Sequence, residues 1–402
     1  TALTALRPGG CLMQTRVGYK RDLAFSVSEY RDRVAAVRRL MTADEIDTLL
    51  IFTPENVNYL TGYDTIGYSS YLCLILPAEQ DPLLVIREME LGVARSTTWL
   101  ESFVTSGDTE NPVVTTRNAL DEAGLLRGRI GIEETAPFLK VATWRQLTEA
   151  LRDNRTVAAS GPVEQVRRIK SEAEVAYIRD ACRLANLGMA AGLDAVAEGA
   201  TENDVAVAAY AALLQNGSSP LTSQPIVTSG PRSGIAHTTF EGRRLEQGDT
   251  VLIELAGTRR HYGGALMRTA VIGPPSGEII ALEQTVRAAL DAAIAAIKPG
   301  VTCGAVDEAC RSVIEAAGYE ENFRKRTGYS VGVAFSPDWG EGHILSLRRD
   351  DRERLEPGMV FHIPPALRIF QRMCVGLSET VLVTEDGCEV LTSFPRELTI
   401  VG

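Results

Sequence analysis

The sequence Gly199-Ala-Thr201, followed by Val205 and Gly217, recurs as Gly300-Val-Thr302, followed by Val306 and Gly318, with every landmark displaced by 101 positions. In each copy the pattern predicts a long helix ending at the first glycine, then a shorter helix capped by the threonine and stopped by the second glycine. The residue types carry the mechanism: a threonine hydroxyl satisfies an orphan N–H at a helix start, and glycine accepts the left-handed turn at a helix end. Strand-rich sequence follows each copy. Two such helix-helix-strand units imply a pseudo-twofold domain with the sheet between them and a cleft where the halves meet.

The repeat occupies the second part of the chain. Before it, helical and strand patterns alternate: a helix over 28–41, a buried strand over 47–52, a strand pair over 71–76 and 82–86 around Pro77 and Asp81, a helix over 91–97, a strand over 129–132 and a helix over 140–151. That is a small α/β domain, closing near 157–162. The character then changes across Glu164 to Glu174, where Ser171 with Glu174 three residues on predicts a capping box and a helix running to about Ala197. The domains are therefore expected at 1–162 and 163–402.

Composition excludes several classes of partner. The chain has 402 residues, 45% hydrophobic and 23% charged, as in a globular protein with two cores. A net charge of −11 opposes binding to a phosphate backbone. Arg324-Lys325-Arg326 and Arg348-Arg349 read as solvated loop charges. The longest apolar runs are cut by Pro77, Glu79 and Asp81 or by Lys298-Pro299, so no membrane span is expected. Residues 1–12 lack the pattern of a secretory signal, and Met13 is the expected natural start. The seven cysteines (Cys11, Cys73, Cys182, Cys303, Cys310, Cys374 and Cys388) are scattered, without a CxxC, which points to reduced thiols in a cytoplasmic protein.

One acidic residue interrupts an apolar strand, Thr250-Val-Leu-Ile-Glu254-Leu-Ala-Gly257. An ionised carboxylate there is costly unless paired, which makes Glu254 a candidate nucleophile or general base. The competing reading is a buried ion pair with Arg259, Arg260 or Arg268. His237 is one of only four histidines, and a side chain that titrates near neutrality suits proton transfer. A satisfied structural histidine is the alternative.

The markers Arg168-Ile-Lys170-Ser171, Gly248-Asp249, Arg268-Thr269, Glu356-Pro-Gly358-Met359-Val360 and Glu379-Thr-Val-Leu-Val-Thr-Glu385-Asp386-Gly387 resemble the superfamily of methionine aminopeptidase, prolidase and creatinase over essentially the whole chain. The resemblance implies an α+β protein. A pita-bread C-terminal domain with an internal pseudo-twofold repeat is preceded by a smaller α/β creatinase-type N-terminal domain. In metal-dependent members two Asp, one His and two Glu hold paired cations. The matching positions here are Glu254, Ala265, Tyr329, Pro364 and Ser378, and Glu379 is displaced by one position on its strand, toward the opposite face. One surviving carboxylate does not compensate two divalent cations, so no metal or other cofactor is expected.

His237 lies where these relatives keep a catalytic histidine. The two glutamates with which creatinase grips its substrate match Met267 and Pro364, which argues against creatine. The segments Gly328-Tyr329-Ser-Val-Gly332-Val-Ala-Phe335-Ser-Pro337-Asp338-Trp339-Gly340-Glu341 and Phe361-His362-Ile-Pro364-Pro365-Ala-Leu367 look like the metal-independent branch containing ectoine hydrolase. That resemblance implies hydrolytic opening of a small amidine, cyclic amidine or guanidino compound bearing a carboxylate, with Glu254 attacking and His237 moving protons.

Trp339, Asp338 and Glu341 are candidates to cradle the substrate cation, and Arg232, Arg259 or Arg260 to hold its carboxylate. Pro337 to Gly340 as a plain turn packing its indole is the alternative. Tyr262, Tyr329 and His362 complete the substrate-binding candidates on this domain. In the first domain Asn58 to Tyr68, with Tyr63, Asp64 and Tyr68 as substrate contacts, matches a family loop that reaches the other subunit's active site, implying a homodimer. A tyrosine-rich turn filling its own core is the alternative there. Close ectoine hydrolases carry aromatic residues after the Gly-Tyr-Asp stretch, whereas this chain has Thr65-Ile66-Gly67, so a relative of ectoine is implied as substrate. The rival expectations are a non-catalytic peptide-binding or protein-binding module, and an Xaa-Pro dipeptidase-like enzyme with an atypical metal site.

Overall fold

The structure, a computed structural model, describes residues 12–14 and 21–402. Cys11 and nearly all of 1–12 lie outside them, and the other six cysteines are free. The chain divides into two compact units between Arg167 and Arg168.

In the first unit the elements run β1 (Leu12–Gln14), α1 (Val27–Ala43), β2 (Thr48–Ile51), α2 (Pro54–Thr61), β3 (Cys73–Pro77), β4 (Leu83–Arg87), α3 (Leu91–Thr97), β5 (Ser102–Ser106), α4 (Pro112–Glu122), β6 (Arg129–Ile132), α5 (Val141–Ala150), β7 (Arg155–Ala158) and α6 (Pro162–Arg167). Among the described residues the strands form one mixed sheet, ordered β1-β5-β4-β3-β2-β6-β7. The central strand β3 is buried along its whole length, as its uninterrupted apolar sequence requires. Sequence reading missed α2, β5 and α4. Residues 58–61, read as the start of a loop, close α2, which begins with Pro54 in its first turn and ends at Gly62 with φ 80°.

A buried carboxylate ties this unit together. Glu133, just past β6, accepts hydrogen bonds from the backbone N–H groups of Phe52 (2.6 Å) and Thr53 (2.7 Å) and from the Asn56 amide. The same amide reaches Glu164 at 2.8 Å, and Arg167 donates to the Asn56 oxygen at 2.6 Å. Burial, reinforced by Glu164, raises Glu133 to about 7.

The second unit runs α7 (Glu172–Asp194), α8 (Glu202–Gln215), β8 (Ile226–Ser229), α9 (Gly230–Ser233), β9 (Thr250–Arg259), β10 (Tyr262–Ile272), α10 (Gly277–Ala296), α11 (Cys303–Ala316), β11 (Gly328–Ser330), β12 (Ser346–Leu347), β13 (Val360–Ile363), β14 (Ala366–Ile369), β15 (Met373–Gly376), β16 (Glu379–Val383), β17 (Cys388–Val390) and β18 (Thr399–Val401). Among the described residues one sheet is ordered β18-β10-β9-β8 and a second β12-β11-β13-β16-β17, with β14-β15 a separate hairpin.

The repeat is visible in the hydrogen bonds. Gly199 N–H donates to Leu245 O at 2.9 Å and Leu245 N–H returns to Ala200 O at 2.8 Å; Gly300 and Leu355, with Val301, repeat the exchange at 2.8 Å each. Thr201 bridges Arg244 as Thr302 bridges Arg354. Both threonines cap their helices, and Gly217 and Gly318 follow the helix ends with φ 86° and 79°. One expectation is corrected: the long helices stop at Asp194 and Ala296, short of the first glycine of each copy, which lies beyond them in a positive-φ turn. Ser171 and Glu174 form the capping box of α7.

Helix α7 lies directly on the β9–β10 hairpin. Gly257 and Gly264 are cross-strand partners, and a Cβ on Gly257 would meet Leu184 Cβ at 2.7 Å while one on Gly264 would meet Cys182 Sγ at the same distance. The hairpin reverses through Arg260 and His261, with φ 49° and 69°, the positive angles that a two-residue turn between twisted strands requires. Ile253, Leu255 and Leu266 join the core beneath α7, with Ala185 and Met189.

Gly264→Ala is expected to lower stability by about 1–3 kcal/mol, since the backbone of α7 has no room to yield, measured by urea unfolding of the full chain. Because Glu133 holds its proton longer folded (about 7) than unfolded (near 4.5), its contribution declines as pH rises through that window and is constant above it. The melting temperature of the native chain should therefore fall relative to Glu133→Gln between those pH values, and a pH-independent offset would contradict the assignment.

Candidate functional site

Side chains on a strand alternate, and the burial of Ile253 and Leu255 against α7 turns Leu252, Glu254 and Ala256 to the opposite face. Glu254 is half-buried there, facing Met267 on β10 and Ile226 on β8. No hydrogen bond or ion pair engages its carboxylate among the described residues. Two of the three arginines that offered a structural partner are committed elsewhere: Arg259 pairs with Asp180 at 2.7 Å, and buried Arg268 pairs with Glu379 at 3.0 Å while donating to Ser378 O at 2.6 Å. Glu379 also takes Arg396 at 2.8 Å and the Thr392 hydroxyl.

The positions that would hold metals carry other chemistry. Ala265 stands opposite Ala256, and the two methyl groups form an apolar cluster with Trp339, against which Ile226 and Tyr329 pack. Phenol, pyrrolidine and hydroxyl groups occupy Tyr329, Pro364 and Ser378. Among the described residues no group of three or more His, Cys, Asp or Glu is placed to hold a metal ion. A single free carboxylate among these groups does not fit a paired divalent site.

The surroundings of Glu254 are cationic and phenolic instead. Lys325 is exposed as a residue, yet enough protein surrounds its ammonium that desolvation holds its pKa below the ordinary lysine value, against the opposing pull of Glu254. Arg368 shares that environment. It donates to Ser233 O at 2.6 Å, and its own carbonyl accepts from Asn322 at 2.9 Å, which ties the loop before Lys325 to β14. Neither cation has an ion-pair partner among the described residues. This corrects the reading of Arg324-Lys325-Arg326 as merely solvated charges: Arg324 pairs with Glu321, Arg326 stacks over Tyr329, and Lys325 interacts electrostatically with Glu254. A lysine from a loop and an arginine from a distant strand give no sequence signal of their own, which is why both were missed.

A line of hydrogen bonds leads away from Tyr329. Trp339 Nε1–H donates to the Tyr329 oxygen at 2.8 Å, His362 Nδ1 lies 3.0 Å from it, His362 Nε2 is 2.7 Å from Ser378 Oγ, and Met267 N–H donates to that hydroxyl at 2.7 Å. Burial, assisted by Lys325 and Arg268, lowers His362 to about 3, so the ring is neutral. Burial and Glu254 push the Tyr329 phenol far above its usual range.

The remaining candidates divide. His237 lies exposed in the turn after α9 with φ 61°, in a loop whose next residue, Thr238, meets Thr228 of β8 at 3.0 Å. His362 is fully buried, so it supports Tyr329 and is not exposed to bind substrate. Tyr262, expected to bind substrate, is buried against Tyr177 and donates to Glu174 at 2.9 Å. Asp338 accepts from the Trp339 and Gly340 N–H groups and so shapes its own turn, and Glu341 is sealed in an ion pair with Lys170 at 2.9 Å. Of the expected cation cradle, Trp339 remains at the site. Arg232 pairs with Glu241 at 2.6 Å. On the first unit, Tyr63 donates to Glu90 at 3.2 Å, Tyr68 packs edge-on against Phe138, and the Asp64 N–H donates to Thr97 at 3.2 Å.

Two helix-pair-and-sheet halves related by a repeat, following a smaller α/β unit, define a pita-bread protein of the α+β class. The chain belongs to the metallopeptidase family M24, whose model matches residues 176–385, and residues 33–169 match the creatinase/prolidase N-terminal domain. It is thus a member of a family of hydrolases. An uncharacterized hydrolase/peptidase of Sinorhizobium fredii is 33% identical over 94% of this chain and 99% of that protein. The ectoine hydrolase of Halomonas elongata is 27% identical over 94% and 99%. The crystal structure of the prolidase from Pyrococcus horikoshii superposes with a TM-score of 0.80 at 26% identity, covering 91% of this chain and 99% of that one.

Removing Lys170 alone takes the lysine counterion, at 2.9 Å, from the buried Glu341 carboxylate, so Lys170→Met is expected to cost about 3–5 kcal/mol of unfolding free energy. Replacing both residues with apolar ones should restore most of it, and equal losses in the single and double variants would contradict the pairing.

Proposed function

We propose that this protein hydrolyses a C–N bond in a small amidine, cyclic amidine or guanidino amino-acid derivative without a bound metal, with Glu254 as nucleophile or general base and His237 carrying protons. The observation that carries the reading is Glu254 itself: a half-buried carboxylate with no ion pair among the described residues, on the face where relatives hold metals, beside Ala265 instead of a second acid. An amidinium carbon is electrophilic without a Lewis acid, because the cation already carries the charge. A carboxylate at that carbon needs only a group to move the proton, and histidine does so at neutral pH. The left-handed backbone at His237, uncommon for a residue other than glycine, fits a side chain held for a task.

The substrate's two ends have matching chemistry. Lys325 and Arg368 suit a carboxylate, and the Trp339 and Tyr329 rings suit a cation. Ectoine hydrolase among the relatives agrees with such a zwitterion. Prolidases and dipeptidases stand at comparable similarity, but the family's peptide chemistry calls for metal ligands where this chain has Ala265, Tyr329, Pro364 and Ser378. A non-catalytic binding module gives no reason to keep an unpaired acid on this face. The enzyme works as a cytoplasmic homodimer in this reading, the segment from Tyr63 to Tyr68 of one copy reaching the other's site. Ile66, 95% exposed at its tip, is an apolar residue suited to be covered there.

The test offers cyclic amidines, guanidino acids and Xaa-Pro dipeptides to the chain with EDTA present. Turnover of an amidine or guanidino acid is expected, lowered about 10³-fold or more by Glu254→Gln and about 10²-fold by His237→Ala. Lys325→Met should raise KM for a carboxylate-bearing substrate about 10-fold or more with a smaller effect on kcat. Activity confined to dipeptides and restored only by added Mn²⁺ or Co²⁺ would overturn the proposal.

A further inference from the structure

The hydrogen-bond line behind Tyr329 admits two proton assignments, one leaving the Ser378 hydroxyl proton without an acceptor and the other that of Tyr329, and burial decides between them, because Ser378 is fully buried and Tyr329 only half-buried. Ser378 is fully buried, and its hydroxyl has two contacts, Met267 N–H and His362 Nε2, both at 2.7 Å. The backbone N–H can only donate. If His362 Nε2–H also donated, the serine proton would be buried with no acceptor among the described residues, a loss of about 1–3 kcal/mol. The serine hydroxyl therefore donates to Nε2. The imidazole, being neutral, carries its proton on Nδ1 and donates it to the Tyr329 oxygen at 3.0 Å. Trp339 Nε1–H, which has no acceptor capacity, donates to the same oxygen at 2.8 Å.

Two donors thus occupy the acceptor side of the Tyr329 oxygen, and its own O–H proton is left without a partner among the described residues. The ring packs beside Ala256 and Ala265, on the face of β9 that carries Glu254, yet no hydrogen bond joins the phenol to that carboxylate. We infer that Tyr329 is a further catalytic residue, a fixed hydrogen-bond donor to the substrate heteroatom that gains an electron pair when the neighbouring carbon is attacked. Ser378, His362 and Trp339 are positioning residues that force the phenol to donate. The inference rests on the hydrolytic reading given above for its catalytic part, whereas the proton assignment stands on geometry alone.

A preorganised neutral donor of this kind does part of the work that a metal does elsewhere: it stabilises charge where charge develops, without reorganising during the reaction. The two nitrogen donors also make the phenol oxygen a poor acceptor and its proton a better donor. The position is the one where metal-dependent members of the superfamily keep a ligand histidine, so the same strand, β11, now delivers an O–H to the same face.

The test needs no substrate for its first arm. In protein labelled with ¹⁵N-histidine, two-bond ¹H–¹⁵N correlations, with His362 identified by its loss in His362→Gln, should show the neutral Nδ1–H tautomer, unchanged from pH 5.5 to 8.5. Ser378→Ala should convert it to a mixture or to the Nε2–H form, and Ser378→Thr should restore it. An Nε2–H tautomer in the native chain, or titration of His362 within that range, overturns the inference. In the second arm, on any compound whose turnover depends on Glu254, Tyr329→Phe should lower kcat about 10²–10³-fold with KM within about threefold. Ser378→Ala should lower kcat in the same sense, and Ser378→Thr should recover it. An unchanged kcat in Tyr329→Phe overturns the catalytic role. If no compound is turned over by the native chain, the proposed hydrolysis fails and the catalytic role falls with it, while the tautomer is decided by the first arm regardless.

Discussion

The backbone of α7 rests on the β9–β10 hairpin at Gly257 and Gly264, closer than any side chain would allow. That contact fixes the register of everything on the hairpin, because side chains alternate with period two and a one-residue slip would exchange the faces. With Ile253, Leu255 and Leu266 pinned beneath the helix, Glu254, Ala256, Ala265 and Met267 have no choice but the other face. The same parity sends Arg268 away from Glu254 and toward Glu379. Among the described residues Glu254 is thus left without an ion pair by packing on the opposite face of its strand.

The hydrogen bonds of the second half then complete the site. Tyr329 on β11 and His362 on β13 are direct register partners. Ser378 precedes β16, and its backbone N–H donates to Met267 O while its hydroxyl receives Met267 N–H, so β10 of one half is joined to the second half at the residue opposite Glu254. A pseudo-twofold domain brings two sheets together in this way. Chemistry at their junction is assembled from strands sixty to more than a hundred residues apart in the chain, from Met267 to Tyr329 and from Met267 to Ser378.

Much of the fold was legible because its signals are local. The Ser171/Glu174 capping box, the threonine caps and the positive-φ glycines of the repeat are short-range devices whose residue types state their purpose. Elements lacking such devices were lost: β5 is a short buried run and α2 a helix of eight residues behind a proline. The reading of the site failed where a polar residue had an equally good structural use. Glu341, Asp338 and Tyr262 are all spent on Lys170, on a turn and on Glu174, partners that no sequence spacing reveals.

By itself the sequence determined the two-unit organisation, the duplicated helix pairs and the absence of a carboxylate at position 265. Each of these follows from residue identity and near-neighbour spacing. Only the tertiary structure decided which charges neutralise one another and which do not. Arg259 and Arg268, on the same hairpin as Glu254, pair elsewhere, while Lys325 and Arg368, seventy or more residues away, share its surroundings. Electrostatic energy depends on distance in space and on burial, and neither is fixed until the sheets have packed.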